Sequence, residues 1–218
     1  EAEKRMQEEI NRILKNANLT PFEMRELAAA FLESQEPSFK TGFFFSKAKT
    51  AQERDKRRNA FFSDVAKRTE AEADWHMIDT LHKLAKVFDV YTAESEKLIQ
   101  AYRTPLDISI IEHAVKHGAA FSSEYVLQYT KDLAELIRKE AKREAADIIK
   151  VLSAMVKERV SKDVQTINDR LVQESEKLVF LQEQARLENN AREKTDRLWA
   201  IWEEESACPM HIDTEWFK

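Results

Sequence analysis

The chain is nearly without the residues that end helices and build tight turns. It contains two glycines and four prolines, whereas average chains carry roughly 7% glycine and 5% proline. Neither residue occurs between Gly42 and Pro105, or between Gly118 and Pro209. Few turns imply few, long elements, and no run of alternating β-branched and aromatic residues predicts a strand. The sequence therefore predicts an all-α protein, an elongated helical bundle or antiparallel coiled coil with long helices.

Residues 1–36 predict a short N-terminal helical hairpin. A second helix is expected to begin at Thr20, because Pro21 suits the first helical position and Glu23 completes a Thr-x-x-Glu capping box. The first helix, over residues 2–17, carries one apolar stripe, made of Met6, Ile10, Ile13 and Leu14.

Residues 50–206 are expected to form a long-helix coiled-coil bundle. Its first part permits one helix from Thr50 to Tyr102, followed by a short helix that Gly118 closes. The apolar residues of the first part step by four and three, which is the spacing of a heptad seam. They are Met77, Leu81, Leu84, Phe88, Tyr91, Leu98 and Tyr102, with Ser95 completing the steps.

Ser122 or Ser123 can cap a last helical stretch, and a second heptad seam runs along it. Upstream apolar residues fit a different frame, so the seam shifts phase near residues 156–163. One helix, or two helices broken near Ser161, both fit that shift. The apolar seam residues are Val164, Ile167, Leu171, Leu178, Leu181, Ala185, Trp199 and Trp202, and Glu174, Glu188, Arg192 and Thr195 fall at seam positions in the same frame.

The two seams predict an antiparallel pair of helices within the chain, extended by another copy or by another protein. A charged residue inside a seam costs stability but fixes register and oligomeric state. A bundle that satisfies itself and a homo-oligomer fit the pattern equally well. The residues assigned to assembly are Leu81, Leu84, Phe88, Ile167, Leu171, Leu178, Trp199 and Trp202.

Residues 37–49 form a basic aromatic loop, and the positive charge continues to residue 68. Nine Lys and Arg residues against three acidic ones give this segment a charge of +6, in a chain of net charge −5. Cationic side chains attract anionic lipid headgroups by about 1 kcal/mol each, and aromatic rings bury in the interface. The residues expected to dock an acidic surface are Phe43, Phe44, Phe45, Lys47, Lys49, Arg54, Arg57 and Arg58.

The same segment also has a structural interpretation. Phe43–Phe45 beside Gly42 can fill the end of the bundle, and Arg54–Arg58 can be a solvated helix start. Basic residues at a helix N-terminus are disfavoured by the helix dipole, which favours an external anion. An acidic protein or an anionic membrane fits that description. Nucleic acid is not expected, because the whole chain is acidic and the basic stretch is short.

No catalytic motif is present, and no metal or cofactor is expected. His113 and His117 are four residues apart, and His76 and His82 flank Asp79, spacings that can ligate a metal. The paired Glu-x-x-His motifs of di-iron bundles are missing, however. We therefore expect surface or capping histidines. Two glycines cannot build a glycine-rich phosphate loop.

Residues 207–218 are expected to form a C-terminal tail that folds back onto the Trp199 end of the last helix. Cys208, Met210 and His211 could bind copper or zinc. The favoured interpretation is that Trp216 and Phe217 of the tail contact Trp199 and Trp202. Cys208 is the chain's single cysteine, which excludes an intramolecular disulfide.

These features predict a non-enzymatic helical scaffold or adaptor. It would assemble through coiled-coil seams, with itself or with another protein. Its basic aromatic segment would dock an acidic surface, such as an anionic membrane or an acidic protein. The alternative is a soluble helical component of a secretion, conjugation or toxin system that assembles at a membrane. Its best hydrophobic hairpin, residues 106–121, is short and polar.

The sequence gives little information about where the protein is located. No apolar stretch reaches the length of a membrane span, and no signal peptide is evident. The first residue is Glu1, which an internal fragment or a processed product would explain. A cytoplasmic or peripheral-membrane location is the favoured expectation.

Overall fold

The computed structural model describes residues 1–41, 46–116 and 121–207, and every regular element in these ranges is helical. The prediction of an all-α helical bundle is confirmed, with one long helix and several shorter N-terminal ones. Contacts divide the chain into two units, residues 1–159 and 160–218. The helices are α1 (Ala2–Asn16), α2 (Met24–Gln35), α3 (Ser46–Thr69), a π-helical turn (Glu70–Asp74), α4 (Trp75–Val87), α5 (Ala93–Gln100), α6 (Ser109–His113) and α7 (Ser123–Ala207).

The first two helices confirm the predicted stripe and correct the predicted start of α2. Helix α1 buries Met6, Ile10 and Leu14. Helix α2 begins at Met24 without a side-chain cap, so the predicted start at Thr20 with its capping box is wrong. The Met24 N–H instead donates to the Pro21 carbonyl at 3.1 Å, which closes a turn. This turn buries both Leu19 and Met24, and that burial decides the helix start.

The two N-terminal helices pack mainly on later helices rather than on each other. Helix α2 lies against α3, and α1 lies against α4. Their connection is tied to α7 by Arg138, whose guanidinium donates to the carbonyls of Leu14 at 2.9 Å and Ala17 at 3.1 Å. Because these carbonyls have no partner inside α1, the arginine acts as a cap supplied from outside the helix.

The predicted uninterrupted helix from Thr50 to Tyr102 is also corrected. Helix α4 ends at Val87, where Asp89 has a φ of 54°. The Val90 N–H donates to the Ala85 carbonyl at 2.9 Å, and the Asp89 N–H donates to the Lys86 carbonyl at 3.1 Å. This is a Schellman ending, in which aspartate replaces the usual glycine. Aspartate tolerates the left-handed conformation better than most residues, so a helix stop formed without glycine or proline.

The first heptad seam is therefore shorter than predicted and lies inside unit 1. Leu81 and Leu84 are buried, and Phe88 is half-buried against the same core. Tyr91 is exposed, and Ser95 serves a capping box at the start of α5 rather than a seam. The seam residues up to Phe88 are satisfied within the chain.

The core of unit 1 is built around three aromatic rings from different helices. Phe31, Phe61 and Tyr129 have ring centroids 5.6 to 6.1 Å apart. The Tyr129 hydroxyl donates to the Ile111 carbonyl at 2.8 Å, which satisfies a polar group that would otherwise be costly to bury. Helix α7 thus contributes its first eight turns to a closed core, with buried residues from Val126 to Ser153.

Helix α7 settles the question of one helix or two. It is continuous from Ser123 to Ala207, and the Ser122 hydroxyl accepts the Tyr125 N–H at 3.1 Å, which confirms the predicted cap. The short helix α6 also lies where expected, although Gly118 falls outside the described residues. Within the described ranges, no helix is both long enough and apolar enough to cross a membrane.

Candidate assembly and docking surfaces

The C-terminal segment of α7, residues 160–207, has no buried residue. It is rich in the strong helix formers Ala, Leu, Glu, Lys, Gln and Arg. Side-chain pairs one turn apart reinforce it, as between Arg186 and Glu183 at 2.6 Å and between Lys177 and Glu174 at 2.7 Å. Such exposed pairs stabilise a helix by only about 0.3–0.5 kcal/mol each. The local sequence thus accounts for the helix but leaves its apolar residues uncovered.

The predicted seam residues of this segment form one apolar stripe on the helix. Because seam residues recur every three or four positions, they lie on one face. Their exposed fraction runs from 50% for Val164 to 62% for Leu171. Trp199 and Trp202 sit at the end of the stripe, with ring centroids 5.6 Å apart and edge-to-face. The stripe comprises Val164, Ile167, Leu171, Leu178, Leu181, Trp199 and Trp202.

Three polar residues of the seam are bonded to residues of their own helix. Glu174 accepts from Lys177, and Glu188 accepts from Gln184 at 2.9 Å. Thr195 donates its hydroxyl hydrogen to the Ala191 carbonyl at 2.9 Å. Each of these groups faces water, so its local bond is easily exchanged.

Further apolar side chains lie elsewhere on this segment, and each is more than half exposed. At about 3.6 residues per turn only Leu198 flanks the stripe, and the others lie towards the opposite side of the helix. Exposed apolar surface on this scale marks an interaction site more often than a free surface. These residues are Val172, Val179, Phe180, Leu187, Leu198 and Ile201.

The basic segment is less available than the sequence suggests, because its arginines bond to the end of α2. Arg54 donates to the carbonyls of Ser34 at 2.7 Å and Glu36 at 3.0 Å. Arg57 donates to the Ala30 carbonyl at 3.2 Å. The last carbonyls of a helix lack partners in their own helix and carry its negative dipole end. Arg54 therefore acts as a cap for α2, whereas Arg57 bonds to a carbonyl that lies before the last turn of the helix.

Arg57 is the centre of this arrangement. Its guanidinium contacts the carboxylates of Glu33 at 2.7 Å and Glu53 at 3.1 Å, and it lies over the Phe39 ring at 4.8 Å. The hydrogen bond to Glu33 raises the pKa of Arg57, as does the weaker contribution of Glu53. The anion expected beside these basic residues is thus supplied largely from within the chain, by carboxylates such as those of Glu33 and Glu53.

The remaining predicted docking residues divide into three groups. Arg58 pairs with Asp55 at 3.1 Å and with Glu112 at 3.3 Å. Lys47 and Lys49 are exposed. Phe43, Phe44 and Phe45 lie outside the described residues. An open groove of about 590 Å³ passes between Lys40, Lys47 and Arg54, with Phe39 as its apolar wall.

Two histidines of the described residues, His76 and His82, contact aromatic rings, and His113 is exposed. His76 meets Trp75 edge-on at 4.9 Å, and His82 meets Tyr91 edge-on at 5.7 Å. In residues 1–41, 46–116 and 121–207, no three His, Cys, Asp or Glu side chains converge on one metal position. His117 lies outside those ranges, as do Cys208, Met210 and His211 in the predicted tail.

One buried polar group, Asp74, was not predicted from the sequence. Asp74, in the π-helical turn, accepts hydrogen bonds from the backbone N–H and the hydroxyl of Thr104. Burial raises the pKa of Asp74, and the Thr104 bonds oppose that shift. The neighbouring Tyr102 hydroxyl donates to the Ala141 carbonyl at 3.1 Å. These hydrogen bonds connect the segment after α5 to the π-helical turn and to α7, and no sequence motif indicates them.

Comparison with known proteins adds no family. No protein-family model matches the chain, and no solved structure matches it significantly. The function is therefore inferred from the apolar stripe of α7 and from the basic segment.

Proposed function

We propose that this protein is a non-enzymatic helical scaffold that assembles through the C-terminal segment of α7, and that the partner is a second copy of the chain. The observation that carries the proposal is the unbroken helix of residues 160–207, in which every residue is exposed. At about 1.5 Å per residue the segment is about 70 Å long. Local propensity favours this helix, but most helical stability in proteins comes from packing of an apolar face, so the uncovered apolar stripe is expected to pack on a partner.

The apolar area is of the size that a stable dimer needs. Seven large apolar side chains form the stripe in each chain, so a pair of chains brings fourteen together. Full burial of such a side chain stabilises by about 1.5–3 kcal/mol. Since a two-helix seam covers these side chains only in part, about 1 kcal/mol each is a fair value, on the order of 14 kcal/mol in all. That is enough to offset most or all of an association cost of about 4–15 kcal/mol.

Two neighbouring residues supply a matched test of this proposal. Leu171 lies in the seam, whereas Val172 lies outside it, towards the opposite side of the helix, and their exposed fractions are 62% and 58%. Sedimentation velocity on the wild type, Leu171→Asp and Val172→Asp would measure the mass of each in solution. We expect association of the wild type, loss of association in Leu171→Asp, and retention in Val172→Asp. A monomeric wild type, or equal behaviour of the two variants, contradicts the proposal.

Docking to an anionic membrane surface is the second proposed function, and it now involves fewer residues. What supports it is the groove wall formed by Lys40 and Lys47, with Lys49 exposed nearby. Each lysine near an anionic bilayer is attracted by about 1 kcal/mol. The arginines contribute less to this role, because their guanidinium groups already bond to α2.

Liposome sedimentation tests the docking role directly. The triple variant Lys40→Gln, Lys47→Gln, Lys49→Gln should bind anionic vesicles at least about tenfold more weakly than the wild type, since about 3 kcal/mol of attraction is removed. Lys83→Gln serves as the control, because Lys83 pairs with Asp79 on α4, away from the basic segment. Equal binding by wild type and triple variant, or no binding by either, rules the role out.

A further inference from the structure

The charged residues of the seam disfavour a parallel pair of C-terminal segments. In a parallel, in-register pair each residue faces its own counterpart. Glu174 would then face the partner's Glu174, and Glu188 and Arg192 would likewise face their own copies. Like charges opposed in this way destabilise a helical pair. Three such layers would fall within 19 residues of each other, in the middle of the contact.

In an antiparallel pair the two helices run in opposite directions. The numbers of two residues that face each other therefore always add to the same sum. A two-fold axis makes each contact occur twice, once in each direction. Seam residues divide into two alternating sets, one with Leu171 and Leu178 and the other with Ile167 and Leu181. In an antiparallel pair a residue of one set faces a residue of the other set. Only a few registers satisfy both conditions, and they differ by whole heptads.

We propose that two copies of the chain pair antiparallel through residues 160–207, about a two-fold axis at residue 183, with Arg192 of each chain facing the partner's Glu174. This inference rests on the proposed self-assembly and adds its direction and register. Residue numbers at equal height then add to 366, so residue 160 lies opposite the partner's residue 206. The pairing uses the whole exposed segment of α7.

This register also matches the sizes of the seam residues. The two tryptophans at one end meet aliphatic residues at the other, and the small Ala185 meets a leucine next to the axis. Large and small residues thus alternate across the seam, as close packing requires. The pairs, each formed twice, are Val164 with Trp202, Ile167 with Trp199, Leu171 with Thr195, Glu174 with Arg192, Leu178 with Glu188, and Leu181 with Ala185.

The residues that flank the axis are self-complementary. Gln182 and Gln184 stand on either side of residue 183 and next to the seam, so each comes close to its own copy across the axis. An amide can both donate and accept a hydrogen bond, so two identical amides can pair. A charged side chain at either position would instead meet a like charge.

Neighbouring registers lose these pairings. A shift of one heptad places Arg192 against the partner's Leu181 in one direction and against the partner's Ile167 in the other. A shift of two heptads can pair Arg192 with the partner's Glu188. That register overlaps only from residue 173 onwards, which leaves Val164, Ile167 and Leu171 uncovered. The register centred on residue 183 alone pairs the arginine and covers the stripe.

Charge reversal is the first part of the test. Glu174→Arg and Arg192→Glu should each raise the dimer Kd by about tenfold or more, because each creates two like-charge contacts. The double variant should recover the wild-type Kd. In a parallel pair the double variant still opposes like charges, so it recovers nothing. Sedimentation gives the Kd, and circular dichroism checks that helix content is unchanged.

Disulfide trapping is the second part, in a Cys208→Ser background. The variant Leu171→Cys, Thr195→Cys should cross-link two chains on mild oxidation. The control Leu171→Cys, Glu188→Cys reports the register shifted by one heptad and should stay uncross-linked. Leu171→Cys alone reports the parallel pair and should also stay uncross-linked. Within one chain these cysteines are at least about 25 Å apart along the helix, beyond the reach of a disulfide.

The outcomes separate this inference from the proposed function. A wild-type monomer overturns both. A dimer without rescue by the double variant, or with cross-linking in either control, overturns the antiparallel register and leaves self-assembly standing. Rescue together with cross-linking only in Leu171→Cys, Thr195→Cys supports the register.

Discussion

Replacing Arg57 with methionine distinguishes a structural arginine from a docking arginine. The variant keeps an aliphatic side chain beside Phe39 and loses the guanidinium contacts to the Ala30 carbonyl, Glu33 and Glu53. A hydrogen bond from a charged group contributes about 1.5–3 kcal/mol when well shielded. The Arg57 side chain is 26% exposed and Glu33 is 55% exposed, which reduces the ion-pair contribution. We therefore expect a loss of about 2 kcal/mol in the free energy of unfolding.

Thermal and urea unfolding, followed by circular dichroism, would measure this loss. In a domain of this size about 2 kcal/mol lowers Tm by roughly 4–8 °C. Lys49→Met is the matched control, because Lys49 is exposed on the same helix and its replacement should change stability by less than about 0.5 kcal/mol. Equal stability of Arg57→Met and the wild type would refute the structural role and return Arg57 to the docking surface.

Three further predictions concern the core and the chain turns of unit 1. Phe61→Ala should cost about 3–5 kcal/mol, because Phe61 is fully buried, whereas Phe62→Ala, at a half-buried neighbour, should cost clearly less in the same urea titration. Because burial raises the pKa of Asp74, the folded state holds that proton more tightly than the unfolded state; stability from this group is therefore greatest at acid pH and falls as pH rises through the raised pKa. Asp74→Asn should flatten this dependence at pH values above the usual aspartate pKa, and an unchanged pH profile would contradict it. Asp89→Gly should be more stable than Asp89→Ala by about 1 kcal/mol, because φ is positive at this residue, and equal Tm values would argue against that.

The predictable part of this fold followed from turn chemistry that the sequence shows directly. Absence of glycine and proline permitted a continuous α7 but left two helices broken near Ser161 equally open, whereas Ser122 correctly indicated the start of the helix. The same reasoning failed at Asp89, because an aspartate in the left-handed conformation ended α4 without either residue. It failed again at Thr20, where burial of Leu19 and Met24 displaced the start of α2.

The surfaces were predictable to different degrees. Heptad spacing predicted Ile167, Leu171 and the tryptophans as seam residues, because a repeat along one helix is a local property, and that assignment stays a prediction. The same spacing could not show that Leu81 and Leu84 are covered within the chain while Leu171 is exposed. Coverage depends on which helices meet, and that is a long-range property. The roles of the arginines were hidden for the same reason, since their acceptors lie 18 to 27 residues away.

Hydrogen exchange at two protein concentrations tests the central claim most directly, because it reports on the C-terminal segment of α7 residue by residue. If a second copy covers residues 160–207, their amides should be protected at high concentration and should exchange faster after dilution below the dimer Kd. Amides of unit 1 that lie in its closed core should exchange equally slowly in both samples. Exchange in residues 160–207 that does not depend on concentration, across a range from nanomolar to hundreds of micromolar, would contradict assembly of this protein through that helix.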